Sequence, residues 1–361
     1  MNPQLNALPL SPRPILALDF GGTKLTAALF RAEDSTQSRQ DAKTQEEISL
    51  ASWRPGVLAL NGLRRVVTPA DADAAYELAT MLTLARDLLA GHTPAAVGVS
   101  FGGPVDYRAG LVRRSDHVPG WANTPLRDLL AAEFGGPVAV DNDANVAALG
   151  EHRFGAGRGF DDLLYVTVST GVGGGWILGG RPWRGHTGLA GEIGHTVADP
   201  AGPLCLCGKR GCVERLASGP YMAADYARGG GDAAEQGRKD AGPEARSSLE
   251  PGPWNLEPAF TGRAVAERAA AGDERAREIL RRGAWALGVG IGNAANLVNP
   301  QRFILGGGVT KAGEAWWAEV RQSAVATALA DVTFDIVPAA LGDDAPLWGA
   351  LALAQEQLAG A

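Results

Sequence analysis

Residues 191–214 read GEIGHTVADPAGPLCLCGKRGCVE, and the rest of the chain is organised around them. All three cysteines of the 361-residue chain, Cys205, Cys207 and Cys212, fall inside this stretch, with His195 and two carboxylates, Glu192 and Glu214. Three thiols and one imidazole form the donor set of a closed tetrahedral zinc site. The spacing H-x9-C-x-C-x4-C lets one short loop fold round one ion. A disulfide would leave one thiol over, and Cys205 and Cys207 are too close in sequence to pair without strain. Inert cysteines belong among apolar core neighbours, whereas these sit among Gly, Pro, Lys and Arg. Four protein ligands leave no open position for catalysis. The Zn²⁺ expected here is therefore structural: it pins a loop that no hydrophobic core holds, and so aims Glu192, His195 and Glu214.

Outward from this loop, the bulk properties describe a globular protein, with 45% hydrophobic and 20% charged residues and length enough for two domains. A net charge of −7 argues against non-specific binding to nucleic acid or anionic lipid. No apolar run reaches the about 18 residues of a membrane-spanning helix. Residues 1–14 are polar and proline-rich, lack the apolar stretch of a signal peptide and read as a loose tail. Reduced thiols fit the cytoplasm.

Glycine turns after short apolar runs recur along the chain. Residues 15–20 (ILALDF) predict a buried strand, followed by Gly21, Gly22, Thr23 and Lys24 and a second strand at 25–30. Such a hairpin turn crowds backbone amides at one point and is an anion-binding arrangement, with Asp19 placed to hold a hydrated Mg²⁺ and Thr23 and Lys24 to meet phosphate. A plain tight hairpin explains the same residues equally well. The Walker A spacing is missing. Residues 163–178 repeat the pattern: strand, a turn at Thr170 and Gly171, strand. Two such units about 150 residues apart imply duplicated halves. A third glycine turn holds Gly307 and Gly308 after a strand at 301–305, and a fourth holds Gly103 after a strand at 95–100.

Asn142 and Asp143 follow a strand at 137–140 and open a helix. Polar residues there sit where ligands bind in α/β sheets. Asp143, kept ionised by the helix N-terminus, is a candidate general base, and a helix cap is the competing account. Further helices are expected at 71–90, 125–134, 218–227, 261–271, 274–297, 315–329 and 346–358, and a strand end at 65–69. Residues 31–55 and 228–258 read as exposed, irregular or flexible segments.

Taken together, LDFGGTK, GGPVD, DNDANVAALGE, TGVGGG, GEIGH with CLCGKRGCVE, and LGGGV resemble the ROK family of bacterial sugar kinases and sugar-responsive repressors. The resemblance runs from Ile15 to about Ala354. It implies the actin/hexokinase/Hsp70 type of ATPase fold: two α/β domains round a cleft that closes on ligand. On that basis residues 1–140, with a C-terminal helix at about 346–361, form the smaller domain. Residues 141–345 form the larger one, with the zinc loop at 195–212.

The implied activity is ATP-dependent hexose phosphorylation, with glucose as the expected acceptor at its 6-hydroxyl. Asp143 takes the hydroxyl proton in this reading. Gly103, Asn142, Glu192, His195 and Glu214 contact the sugar. Gly21, Gly22, Thr23, Lys24, Thr170 and Gly171 face the phosphates, Gly307 and Gly308 lie against the nucleotide, and Asp19 stands near Mg²⁺. His195, Cys205, Cys207 and Cys212 hold zinc. Asp116 stands where several relatives carry Asn or Thr, which opens the identity of the sugar. N-acetylmannosamine, N-acetylglucosamine and fructose are the competing acceptors. A non-catalytic sugar-sensing regulator of this family carries an extra N-terminal DNA reader, for which no room precedes Ile15. A homodimer is what the family implies.

Overall fold

The computed structural model describes residues 13–32, 58–115, 118–228 and 261–360. The segments expected at 1–14, 31–55 and 228–258 fall largely outside the described residues, and Asp116 wholly so. In chain order the elements are β1 (Ile15–Gly21), β2 (Lys24–Ala32), β3 (Leu58–Val67), α1 (Ala74–Leu89), β4 (Ala96–Phe101), β5 (Val105–Asp106), β6 (Leu111–Val112), α2 (Leu126–Phe134), β7 (Val138–Asn142) and α3 (Asp143–Phe154). There follow β8 (Leu163–Val168), β9 (Val172–Leu178), β10 (Arg181–Trp183), α4 (Val213–Ala217), α5 (Gly219–Ala227), α6 (Gly262–Ala270) and α7 (Glu274–Val298). The chain ends with β11 (Arg302–Gly306), α8 (Glu314–Thr327), β12 (Asp335–Pro338) and α9 (Ala345–Gly360). This is the α/β class expected.

Two compact units divide these elements: Met1–Gly155 with Arg184–Leu189 and Asp344–Ala361, and Ala156–Trp183 with Ala190–Asp343. The first unit runs past residue 140 to include α3, because α3 packs along α9.

In the first unit the sheet order is β3-β2-β1-β4-β7, with β1 antiparallel to β2 and parallel to β4, and β4 parallel to β7. Strands flanked by helices on both faces read as near-continuous apolar runs, as β1 and β4 do but for Asp19 and Ser100. Leu16, Leu18 and Phe20 pack with Met81, Ala85 and Leu89 of α1 and with Leu126, Leu130 and Phe134 of α2. The spacing of Met81, Ala85 and Leu89 is one helical stripe, and the Asp73 carboxylate caps α1 by accepting the Tyr76 N–H at 2.8 Å. On β4 a Cβ at Gly98 would stand 1.8 Å from Ala350 O, so α9 lies directly on the strand.

In the second unit the order is β10-β9-β8-β11-β12. Again the second strand of the hairpin is antiparallel and the next two are parallel. Order and sense repeat those of the first sheet, as the duplicated hairpins implied. Leu164, Val166 and Val168 of β8 pack with Ala284, Leu287 and Ile291 of α7 and Val320 and Ala324 of α8 in a core of their own.

Candidate functional site

The register of the first sheet places Asp19 beside Ser100 and Ser100 beside Asp141. All three are buried, a polar row one or two residues short of the strand ends. Burial pushes the Asp19 carboxyl up to about 6, against the neighbouring Ser100 hydroxyl, Lys24 and Arg65, which favour its charge. Arg65 also donates to Asp344 at 2.7 Å and to Thr26 Oγ1 at 3.2 Å. The β1–β2 hairpin closes at the Gly21–Lys24 pair, leaving Gly22 and Thr23 as its loop.

The loops beyond that row converge. Gly102 N donates to Phe20 O at 2.9 Å. A Cβ at Gly102 would lie 3.5 Å from Gly22 N and 3.9 Å from Asp143 Oδ2. Gly103 has φ +155°, and a Cβ there would stand 2.7 Å from Arg114 O, so glycine alone fits this turn. Asn142 caps α3: its Oδ1 accepts Ala144 N–H at 3.0 Å. Its Nδ2 donates to Gly103 O at 3.1 Å and to Asp143 Oδ1 at 2.9 Å. Asp143 Oδ1 also accepts Ala144 N–H at 2.8 Å. The cap is thus Asn142, and Asp143, the first helical residue, is held by Asn142 and the helix N-terminus. Asp19, Gly21–Lys24, Gly103, Asn142 and Asp143 share one edge of the first sheet.

In the second unit the stretch 191–214 wraps the start of β9. A Cβ at Gly194 would fall 2.0 Å from Val172 O. Glu192 is exposed at the head of a single 3-10 turn, Ile193–His195. Glu214 opens α4, and its Oε2 accepts Val172 N–H at 3.0 Å beside Gly171. Gly307, at φ +88°, brings its turn so near β8 that a Cβ would stand 2.4 Å from Val168 O. The Thr170–Gly171 turn, the Gly307–Gly308 turn and Glu214 therefore gather at the end of β8.

Ligand atoms of His195, Cys205, Cys207 and Cys212 all lie within 4.8 Å of one another, and among the described residues this is the cluster able to hold a metal. Cys207 Sγ and Cys212 Sγ are 3.5 Å apart. Two sulfurs bound to one tetrahedral ion at about 2.3 Å stand roughly 3.8 Å apart, so little movement is needed. His195 Nδ1 is buried without a hydrogen-bond partner among the described residues. Burial pushes the Cys205 thiol up to about 11 and raises that of Cys212, so a cation is what would hold them as thiolates. Backbone bonds shape the loop: Cys205 N to Lys209 O at 2.8 Å and Val213 N to Thr196 O at 3.0 Å.

Sequence reasoning missed two residues at the edge of the first sheet. Arg184 Nε donates to Asp141 Oδ2 at 2.6 Å, and its guanidinium lies 3.7 Å over the Tyr107 ring. The partners are distant in sequence, so no local spacing announces them.

The ROK family model matches residues 65–357. A glucokinase of Streptomyces coelicolor is 32% identical over 349 residues, covering 94% of this chain and 97% of that protein. An N-acetylmannosamine kinase of Shigella flexneri is 34% identical over 342 residues, covering 94% and 98%. The crystal structure of a ROK family glucokinase from Streptomyces griseus, in complex with glucose and AMPPNP, is similar with a TM-score of 0.68 at 31% identity, covering 95% and 99% of the two chains.

Proposed function

The chain belongs to the ROK family, and we propose that it is an ATP-dependent hexose kinase acting on the 6-hydroxyl of glucose. The observation that carries the mechanism is the placement of Asp143 at the head of α3, oriented by Asn142 and Ala144 N–H. A carboxylate there stays ionised and accepts a proton at neutral pH. Asp143 takes the proton of the sugar hydroxyl as its oxygen attacks the γ-phosphorus of ATP, and ADP leaves. Phosphoryl transfer asks little covalent help of the protein, so positioning and charge neutralisation supply most of the effect.

The turns at Gly21–Lys24, Thr170–Gly171 and Gly307–Gly308 are proposed to face the nucleotide, with amides and Lys24 as donors. Gly103, Asn142, Glu192, His195 and Glu214 are proposed to read the sugar hydroxyls, since a fixed set of donors and acceptors rejects sugars that leave one unpaired. Asp19 offers one buried carboxylate beside the Gly21–Lys24 turn, which suits a hydrated Mg²⁺ carried on the nucleotide phosphates rather than an all-protein cage. When bound, that ion neutralises developing phosphate charge. His195, Cys205, Cys207 and Cys212 fit Zn²⁺ by donor type and spacing, and the ion would fix the loop and the His195 tautomer.

The identity to an N-acetylmannosamine kinase favours that sugar as the second reading. A coupled assay over glucose, N-acetylmannosamine, N-acetylglucosamine and fructose decides: glucose should give the highest kcat/KM, and a higher value on N-acetylmannosamine would replace the first reading by the second.

A cytoplasmic homodimer is the proposed setting. Reduced thiol ligands suit a reducing compartment. No described helix is long and apolar enough to cross a membrane. Leu297, Val325 and Leu329 are 84%, 67% and 68% exposed at the adjoining ends of α7 and α8, where Leu329 N donates to Asn296 Oδ1 at 2.8 Å. Such an apolar patch is what a subunit interface covers.

A further inference from the structure

The buried row Asp19, Ser100, Asp141 ends in a carboxylate that the proposed chemistry does not use. The Asp141 side chain is 3% exposed and that of Arg184 18%. Asp141 Oδ1 accepts Asn142 N–H at 2.8 Å and the Asn145 amide at 3.2 Å. Its Oδ2 accepts Arg184 Nε at 2.6 Å. Arg184 begins the short stretch Arg184–Leu189, which belongs to the first unit although its neighbours in the chain belong to the second. The stretch is docked there at two points. Arg184 stacks on Tyr107, and a Cβ at Gly188 would stand 3.1 Å from Val105 O. Arg184 Nη2 is buried without an acceptor among the described residues, so the Nε contact carries the pair.

A buried ion pair is a weak source of stability, because desolvation consumes most of the attraction. What this pair does is local. From Arg184 the contacts run to Asp141, from Asp141 to Asn142 N, and from Asn142 Nδ2 to Asp143 Oδ1. We propose that Arg184 is a positioning residue for the base: by neutralising Asp141 beneath the Asn142–Asp143 turn, it holds the Asp143 carboxylate where it accepts the hydroxyl proton. This rests on the reading of Asp143 as base. Without Arg184 the buried Asp141 charge is uncompensated, and it draws in water or donors at the expense of the turn. A misplacement of about 1 Å at a reacting group lowers turnover by about 100-fold.

The test is a double-mutant cycle on the full-length enzyme: wild type, Arg184→Ala, Asp141→Asn and the double variant, with Asp143→Asn as control. Glucose phosphorylation is measured at varied glucose and ATP. Arg184→Ala should lower kcat at least about tenfold with the ATP KM within about twofold, and the double variant should regain part of the loss, because the stranded charge is gone. Should Arg184→Ala not fold, Arg184→Gln keeps the volume without the charge and takes its place. A folded variant within about twofold of wild-type kcat overturns the proposal, and so do losses that simply add in the double variant. Normal turnover by Asp143→Asn removes the base, and this proposal with it. An inactive Asp143→Asn beside a fully active Arg184→Ala removes the proposal alone.

Discussion

Asp19 sets stability against function in a way that can be measured. The residue is buried, and burial pushes its carboxyl up from the ordinary value of 3.8 to about 6. A folded-state value above the unfolded one means that the native protein holds the proton longer. Stability therefore falls as pH rises through the window between those values and stays reduced above it. That gap, at about 1.4 kcal/mol for each tenfold change in proton affinity, makes ionised Asp19 destabilising by about 3 kcal/mol at about pH 7. Asp19→Asn removes that charge and keeps the shape, so it should stabilise the protein by a like amount. At about pH 4.5 the native carboxyl is already neutral and the unfolded one mostly ionised, and the gain should shrink to about 1 kcal/mol. At about 2–4 °C per kcal/mol for a unit of this size, the melting point at neutral pH should rise by roughly 6–12 °C. The same variant should lose most phosphorylation, since Asp19 is the proposed Mg²⁺ partner. Melting curves at the two pH values, with a coupled assay, make the check. A variant that melts no higher than wild type at neutral pH, or one whose gain is equal at both pH values, would refute the reasoning.

Asp143→Asn should lower kcat by about 10²–10⁴-fold while still binding glucose by calorimetry; near-normal turnover would rule out its role as base. Metal analysis of freshly purified protein should find one zinc per chain. Cys207→Ser or a strong chelator should release it and expose residues 196–213 to protease, since metal binding is folding energy here; protein free of zinc with an intact loop would sink the assignment.

The glycine turns were legible because each follows an apolar run and needs no distant partner to be recognised. The same holds for Asn142 and Asp143 at the head of α3. β3 was harder. Only a strand end at 65–69 is readable in LALNGLRRVV, where Gly62 and two arginines break the pattern. The register against β2 shifts between Leu29 and Phe30, opposite Gly62 and Leu60, so the alternation slips. The short helix α4 was hidden in the cysteine block, where metal-ligand spacing masks helical periodicity. Arg184 was beyond reach. Its partner Asp141 lies 43 residues earlier, and its burial depends on how Arg184–Leu189 docks on Tyr107 and Val105.

The loop that carries the four proposed zinc ligands is one that a metal would hold where a core would not serve. Between Thr196 and Arg210 the buried residues are Gly202 and Cys205, while Val197 and Leu206 are 39% and 37% exposed. Such a segment buries too little apolar surface to offset the entropy of ordering it. Yet both of its ends grip one residue, Val172. Upstream, Gly194 lies against Val172 O. Downstream, Glu214, two residues past Cys212, accepts Val172 N–H. Val172 begins β9 directly after the Thr170–Gly171 turn. An ion joining His195 to Cys212 would therefore clamp the two grips together, and any loosening of the loop would reach the turn through a single residue, Val172. In the second unit, the residues proposed to read the sugar and the turn proposed to face the phosphate would depend on the same four proposed ligands.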